Sequence, residues 1–354
     1  MKILSSYDEA YKIGKEYTAR DIEITLKYIF EKHYSCYMLC VKDRDPQLYK
    51  LESKSGNTVI DKQINKTLKR KKVKTTTKTW RVMGCIVKPF KKESSFAKEW
   101  LPFLDQIKDK LPDGVFILSL SDSVLLPKST SGDFLPIFAY SGKQGYKDIP
   151  IPTYDDLFDK EIGDVETKWS KKKDVAVFRG SSTGCGYTTD TNQRLKLAEM
   201  VSDDLDVGIT KYTSHLKYNS PSDIGQVKKT NPTVPSLTWK EQSEYKYILH
   251  VDGNVVAYRL LKSMLTKSVI LRVKSDFIHW ADNLLKDGEH YISVKSDLSN
   301  LHEVIEWCKN NDAECKKIAE SGYKLAKKLL TDDCLRDEFV AILKSSIAYR
   351  TQDK

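Results

Sequence analysis

The spacing of hydrophobic and polar residues along the chain predicts an α/β protein. Runs rich in β-branched and aromatic residues predict strands, whereas apolar residues three and four positions apart predict amphipathic helices. The predicted strands are Cys36–Val41, Leu48–Leu51, Trp80–Val87, Val115–Asp122, Pro136–Tyr140, Asp174–Phe178, Tyr245–Val251, Ser268–Val273 and His290–Val294. The predicted helices cover 18–33, 96–107, 191–201, 255–265, 301–308, 312–330 and 335–348.

Strands and helices alternate more regularly after residue 173 than before it, which is typical of a doubly wound sheet. The stretch Asp155–Lys173 is polar and charged, and domain boundaries fall in such segments. We therefore predict a first domain over 1–165 and a second over 166–330. A C-terminal helical segment, 331–354, can cross back to the first domain.

One predicted strand ends in a loop with the composition of an anion site. Asp174–Phe178 is followed by the loop RGSSTG at 179–184, and a helix is predicted from about Thr191. Backbone N–H groups, hydroxyls and a guanidinium in front of a helix can together bind a phosphate or diphosphate. The alternative is an ordinary connecting loop, because turns rich in Gly, Ser and Thr are common. The loop is neither a P-loop nor a G-x-G-x-x-G turn.

Two further residues follow predicted strands. Asp122 ends one of them, and catalytic groups gather at this edge of open α/β sheets, so Asp122 is a candidate general base. Position alone slightly favours the alternative, an aspartate that caps the next turn. Arg259 lies in the first turn of a predicted helix, from which it can reach the same anion as Arg179. Its alternative role is an ion pair with Asp252 or Glu244.

The composition is that of a folded globular protein, with 354 residues of which 40% are hydrophobic and 31% charged. That length suffices for two domains. The first residues do not resemble a signal peptide and no run of 18 apolar residues occurs, so we expect no membrane span and a cytoplasmic location. Seven irregularly spaced cysteines predict reduced, mostly buried thiols rather than a metal site.

The net charge of +10 calls for an anionic partner or a solvated basic surface. Much of it lies in Lys66–Lys74, continued by Lys78 and Arg81. Such a run can bind nucleic acid or another polyanion, but no interleaved aromatic residues or base-reading motif accompany it. We therefore regard nucleic acid as the less favoured partner, and a solvated loop or an edge protected by lysines as the simpler interpretation.

Two Asp-x-Asp pairs resemble metal ligands. They are Asp43 with Asp45, and Asp204 with Asp206. Paired carboxylates can hold Mn²⁺ in metal-dependent transferases. Asp45 precedes a proline and the second pair lies in an acidic cluster at a helix end, so surface roles are predicted and no metal is expected.

Several motifs in the second half resemble those of glycosyltransferase family 90, the group of fungal capsule proteins and animal protein O-glucosyltransferases. They are Trp169, FRGSSTG at 178–184, YKYILHVDGNVVAYRLLKSML at 245–265, HYISVKSDLSNL at 290–301 and IAESGYKLAKKLL at 318–330. DIPIPTYDDL at 148–157 extends the similarity, which runs from about 113 to 345. The order and spacing of several motifs are more specific than any one of them.

This resemblance implies a GT-B fold with two facing Rossmann-like domains, and an inverting transfer from a UDP-sugar that requires no metal or other cofactor. It implies that Asp122 is the catalytic base. The residues that it assigns to UDP-sugar binding are Arg179, Gly180, Ser181, Ser182, Thr183, Lys246, Asp252, Gly253 and Arg259. A UDP-sugar donor and a protein or oligosaccharide acceptor are the partners it implies. A catalytically inactive UDP-sugar binder, or a polyanion-binding protein that uses Lys66–Lys74, is the alternative.

Two positions depart from the family pattern. Ala257 stands where relatives often have serine, and Ser182 stands where the O-glucosyltransferases have arginine, so contacts to the donor sugar can differ. Relatives use UDP-glucose or UDP-xylose, and we narrowly favour glucose. The lysine-rich sequence without a signal peptide is similar to versions encoded by large DNA viruses, which would place the enzyme in a host cytoplasm.

Overall fold

The structure is a computed structural model that describes residues 19–345. Its gaps are 33–35, 53–79, 83–84, 90–96, 129–133, 164, 166, 214–215, 218–223, 226–228 and 230. The chain forms two compact units, one of residues 1–152 with 336–354 and the other of residues 153–335. The sequence placed the domain boundary at 165, whereas the units divide after Pro152.

The first unit contains a seven-stranded mixed sheet in the order β3-β4-β2-β1-β5-β6-β8. Strands β1 to β5 pair antiparallel, and only β5, β6 and β8 run parallel. The strands of this sheet are β1 Cys36–Lys42, β2 Asp45–Glu52, β3 Trp80–Val82, β4 Cys85–Pro89, β5 Gly114–Ser119, β6 Ile137–Ala139 and β8 Ile149–Pro150, and the short β7, Gly142–Lys143, lies outside it. The helices with them are α1 Ala19–Glu31 and α2 Ala97–Ile107, the latter followed by a 3-10 turn at Lys108–Lys110.

Aromatic packing joins the last helix of the chain to the first unit. Helix α9, Asp332–Ser345, follows the second unit in the sequence. It brings Phe339 against Trp100 and Phe103 of α2. The ring centroids lie 5.6 Å and 5.3 Å apart, and Phe339 and Trp100 are fully buried. Buried aromatic rings contribute strongly to the stability of a protein core.

The second unit contains a five-stranded, wholly parallel sheet in the order β10-β9-β13-β14-β16. Its strands are β9 Lys173–Ser181, β10 Leu205–Lys211, β13 Tyr245–His250, β14 Val269–Val273 and β16 Ile292–Val294, with short β11 Leu216–Lys217, β12 Ile224–Gly225 and β15 Phe277–Ile278 outside it. Its helices are α3 Tyr154–Phe158, α4 Gln193–Glu199, α5 Trp239–Gln242, α6 Leu260–Met264, α7 Leu301–Asn310 and α8 Asp312–Leu329, with a 3-10 turn at Trp169–Lys171. Every residue of β13 is buried, including the polar Lys246 and His250.

The predicted α/β class is confirmed, and most predicted elements are present. Two details were wrong. The stretch Trp80–Val87 was predicted as one strand, but β3 and β4 pair antiparallel within it. The helix predicted from Val255 begins at Leu260, because the preceding residues turn beside Asp252, which accepts the Ala257 N–H at 2.8 Å.

Phe339→Ala should lower the free energy of unfolding by about 3–5 kcal/mol, because a fully buried aromatic ring is replaced by a cavity. Denaturant unfolding measures this change. Lys344→Ala, on the exposed side of the same helix, is the control and should change stability by less than about 0.5 kcal/mol. Equal effects of the two substitutions would show that the aromatic contact does not hold α9.

Candidate donor-binding site

The strand order of the second unit creates a switch point between β9 and β13. The chain passes from β9 to β10 on one side and later to β13, β14 and β16 on the other. In open α/β sheets, ligands bind outside the carboxyl ends of the strands at such a point. Ser181 ends β9, and Asp252 and Gly253 follow the end of β13, so these predicted residues meet at the same sheet edge.

The loop after β9 is fixed by its own side chains. Ser181 Oγ lies 3.1 Å from Thr183 Oγ1. Ser182 is fully buried, and its hydroxyl accepts the Thr213 N–H at 3.0 Å. Ser182 is therefore committed to the fold, whereas Ser181 and Thr183 remain partly exposed.

Asn192 occupies the start of α4, close to where the helix was predicted to begin. Its side-chain oxygen accepts the N–H groups of Arg194 and Leu195, and its amide group donates to the Ser182 and Gly186 carbonyls at 3.0 Å. Such a cap satisfies N–H groups that a helix otherwise leaves open. Two of the helix amides expected to bind an anion are thus already occupied.

Arg194 connects the two strand-end loops, and sequence reasoning did not identify it. Its Nη1 donates to the Ser181 carbonyl at 3.1 Å and to Thr183 Oγ1 at 2.7 Å. Its Nη2 donates to the Val251 carbonyl at 2.9 Å, and its Nε donates to the Asp252 carbonyl at 3.1 Å. Burial lowers the pKa of Arg194, and the neighbouring Arg259 lowers it further.

The turn after β13 is built around the buried Asp252. Its carboxylate accepts the Ala257 N–H at 2.8 Å and the Ser275 hydroxyl at 2.5 Å, and His250 Nε2 lies 3.5 Å away. Burial alone would raise the pKa of Asp252, but these donors and the charge of Arg272 hold it well below its usual range. Asp252 therefore shapes the turn as a carboxylate.

Close approach favours glycine at position 253. A Cβ atom there would lie 3.0 Å from Thr183 Oγ1 and 3.2 Å from Arg194 Nη2. At Gly180, a Cβ atom would lie 2.8 Å from the Phe178 ring. The predicted Gly180 and Gly253 thus permit tight packing of the loops around Arg194.

Arg179 is paired with Asp206 of β10. Its Nη2 donates to Asp206 Oδ1 at 2.6 Å, and its Nη1 donates to the Asp206 carbonyl at 2.8 Å. The Tyr245 hydroxyl donates to the other carboxylate oxygen. Burial opposes ionisation of Asp206, but the bonds from Tyr245 and Arg179 lower its pKa. The predicted diphosphate contact is therefore occupied by an ion pair.

Arg259 is a different case, because no carboxylate oxygen of the described residues lies within 4.0 Å of its guanidinium. Its Nη1 donates to the backbone carbonyl of Arg179 at 2.7 Å, which places it beside the end of β9. Neither Asp252 nor Glu244 is its ion-pair partner. Burial lowers the pKa of Arg259, and the charge of Asp155 opposes this change.

Lys246 lies away from this edge. It is the second residue of β13, and its Nζ contacts Asp174 at 2.6 Å and Asp312 at 2.7 Å. It lies four positions before His250, which corresponds to ~13 Å along a strand. The structure therefore does not bring Lys246 together with the other predicted donor-site residues.

Asp122 belongs to the first unit. It lies three residues after β5, and it is exposed. Buried Asp148 fixes the segment that follows, since its carboxylate accepts the Leu125 N–H at 2.8 Å and the Leu126 N–H at 2.9 Å. Burial raises the pKa of Asp148 to about 6, although these two donors oppose the change. Asp122 thus follows a parallel strand, as predicted.

The remaining predictions concern metals, cysteines, membranes and polyanions. Asp204 pairs with Lys309 and Asp206 with Arg179, and no cluster of metal-ligating residues occurs in the part of the chain that the structure describes. Cys36, Cys308 and Cys315 are buried thiols. Across the described ranges, no helix combines the length and apolar character needed to span a membrane. The run Lys66–Lys74 lies outside the described residues.

The second sheet and its edge define an α/β protein whose ligand site is expected at a switch point. The model for the family "Glycosyl transferase family 90" matches residues 90–348. This match covers more than half of the chain, so the protein belongs to glycosyltransferase family 90. The predicted family is confirmed.

The chain is similar to viral and animal proteins over part of their length. It is 37% identical over 228 residues to "Uncharacterized protein 035R" of Invertebrate iridescent virus 3, covering 58% of this chain and 20% of that protein. It is 30% identical over 239 residues to human "Protein O-glucosyltransferase 3", covering 62% of this chain and 44% of that protein. The chain thus spans less than half the length of either relative.

Among solved structures, the chain is similar to Anabaena Alr3699/HepE in complex with UDP-glucose. The two are 10% identical, each is covered over 50% of its length, and the TM-score is 0.32. At so low a score, the architecture is judged from the strand order of this chain itself.

Asp206→Asn should lower the free energy of unfolding by about 1–3 kcal/mol, because it breaks the ion pair with Arg179. The folded-state pKa of Asp206 is lowered, so this contribution is present above pH ~4 and is lost as the pH falls below that value. Denaturant unfolding at pH 7 and pH 3.5 measures both effects.

Asp204→Asn is the matched control, because the Asp204–Lys309 pair is partly exposed and such pairs contribute about 0–1 kcal/mol. Equal, small losses for the two substitutions would contradict the structural role of the Arg179–Asp206 pair.

Proposed function

We propose that this chain is a glycosyltransferase that moves glucose, or alternatively xylose, from a UDP-sugar to a protein or oligosaccharide acceptor. Membership of glycosyltransferase family 90 and the similarity to a protein named as an O-glucosyltransferase support the proposal. In this proposal the configuration at the anomeric carbon is inverted, and no metal or other cofactor takes part.

The position of Arg259 is the observation that most directly supports the proposed donor site. It is a partly buried guanidinium at the switch point, and no described carboxylate lies within 4.0 Å of it. Taking a charge out of water is costly unless an opposite charge approaches it. A diphosphate at the carboxyl ends of β9 and β13 would supply that charge, with Ser181 and Thr183 as hydroxyl donors.

The chemistry follows from these groups. Asp122 would remove the proton from the acceptor hydroxyl or amide, which attacks the anomeric carbon from the side opposite UDP. Negative charge grows on the departing diphosphate as the glycosidic bond to the donor breaks. Fixed positive groups stabilise such charge more than water does, because they need no reorganisation during the reaction. Arg259 is the group we assign to this role. Arg179 is paired with Asp206, and its buried Nε has no hydrogen-bond partner among the described residues.

Arg259→Ala should weaken UDP binding roughly 10- to 100-fold, since a charge-assisted hydrogen bond contributes about 1.5–3 kcal/mol. Titration calorimetry with UDP measures the affinity. Lys274→Ala is the control, because it removes an exposed positive charge after β14 and should change the affinity less than about threefold. Unchanged UDP affinity of Arg259→Ala would remove Arg259 from the donor site.

Asp122→Asn should lower the turnover number roughly 10²- to 10⁴-fold and leave UDP affinity unchanged, because a general base acts on the acceptor proton. Turnover is measured with UDP-glucose and UDP-xylose in EDTA, as metal-independent transfer requires. Turnover near that of the wild type would exclude Asp122 as the base. UDP binding without any turnover of the wild type would instead indicate an inactive UDP-sugar binder.

The donor sugar and the cellular location belong to this proposal as well. Glucose and xylose differ by one hydroxymethyl group, and such a group contributes only about 1–3 kcal/mol to discrimination. Ser182 and Ala257, the two positions that depart from the family pattern, both serve the fold through their hydrogen bonds. We propose that the protein acts in a cytoplasm, and in a host cell's cytoplasm if its gene is viral.

A further inference from the structure

Arg194 donates hydrogen bonds to both strand-end loops at the switch point. It reaches Ser181 and Thr183 after β9, and Val251 and Asp252 after β13. Only 5% of the residue is exposed, and its guanidinium also lies 5.7 Å from the centre of the Phe178 ring. A rigid fork of donors of this kind can hold two loops in one relative position.

Arg194 donates its hydrogen bonds to uncharged oxygen atoms. Three backbone carbonyls and one hydroxyl accept its bonds at 2.7–3.1 Å, and no carboxylate of the described residues lies within 4.0 Å. Arg259 is close enough to lower its pKa. Two positive groups therefore lie beside one sheet edge, and the charges of Asp252 and Asp155 act on them without a direct ion pair.

This arrangement has a direct consequence for Thr183. Its Oγ1 accepts a bond from Arg194, so the hydroxyl hydrogen is left to donate elsewhere. Thr183 Oγ1 also lies 3.1 Å from Ser181 Oγ, and both side chains remain partly exposed. One hydroxyl hydrogen bonds the other oxygen of this pair, which leaves one hydroxyl hydrogen to donate at the edge where the proposed diphosphate would bind.

We infer that Arg194 is a positioning residue for the donor diphosphate, which acts by orienting Thr183 and Ser181 and by holding the two loops together. This inference rests on the proposed function. Arg194 does not need to touch the ligand, because its own donors are directed at the protein.

The test compares UDP affinities by titration calorimetry in four variants. Arg194→Lys keeps the positive charge but loses the planar guanidinium and its several N–H donors. It should weaken UDP binding roughly tenfold or more. Thr183→Val removes the hydroxyl and should weaken UDP binding roughly three- to tenfold. Thr183→Ser keeps the hydroxyl and should bind UDP with wild-type affinity. The double variant Arg194→Lys with Thr183→Val should lose less than the product of the single effects, because both remove the same interaction.

Lys172→Met is the matched control for the loss of a buried cation. Lys172 donates to the Thr266 carbonyl and to Ser268 Oγ at 3.0 Å and to neither strand-end loop, so its substitution should lower thermal stability without changing UDP affinity. Equal losses of UDP affinity for Arg194→Lys and Lys172→Met would overturn the positioning role, since they would report general destabilisation.

The remaining outcomes separate the inference from the function on which it rests. A folded wild-type chain that does not bind UDP overturns the proposed donor site and the inference with it. UDP binding by the wild type and equal binding by Arg194→Lys overturns the inference alone. If Arg194→Lys does not fold, Thr183→Val decides, and unchanged affinity in that variant also overturns the inference.

Discussion

A buried guanidinium surrounded by carbonyl oxygens is the constraint on which the switch-point edge depends. Arg194 keeps its charge because four oxygens of two loops accept its N–H groups. Those loops must approach each other closely for this, and Gly253 is the residue that allows it. The parallel sheet provides the edge, but Arg194 gives the edge its shape.

The regular part of the fold could be predicted from the sequence because it depends on local patterns. Strand β5 is almost wholly buried, and its nearly continuous apolar run is typical of a buried parallel strand. The positions of Ser181 and Asp252 followed from the same reasoning, since they come directly after strands. Helix starts were less accurate where a side chain such as Asp252 shapes the preceding turn.

The contacts of individual side chains could not be predicted in the same way. Arg194 gives no signal, because its partners are backbone carbonyls more than fifty residues away for one loop. Arg179 was assigned to a ligand, yet Asp206 on the neighbouring strand pairs with it. Lys246 was assigned from a motif, and its place near the amino end of β13 became visible only in the sheet.

The family match also divides the first unit in an informative way. It begins at residue 90, after the antiparallel strands β1 to β4, and includes the parallel strands β5, β6 and β8. Asp122 follows β5 and therefore lies in the shared part. The preceding strands β1 to β4 extend the sheet along one side and lie before the matched range.

The Asn192 cap has a consequence for how this protein can change over evolutionary time. Phosphate loops built from main-chain amides tolerate most substitutions, since every residue except proline carries an N–H group. Here Asn192 accepts two of the amides at the start of α4, so recognition of an anion at this edge relies more on side chains. Single-codon changes in those side chains can therefore abolish or retune recognition.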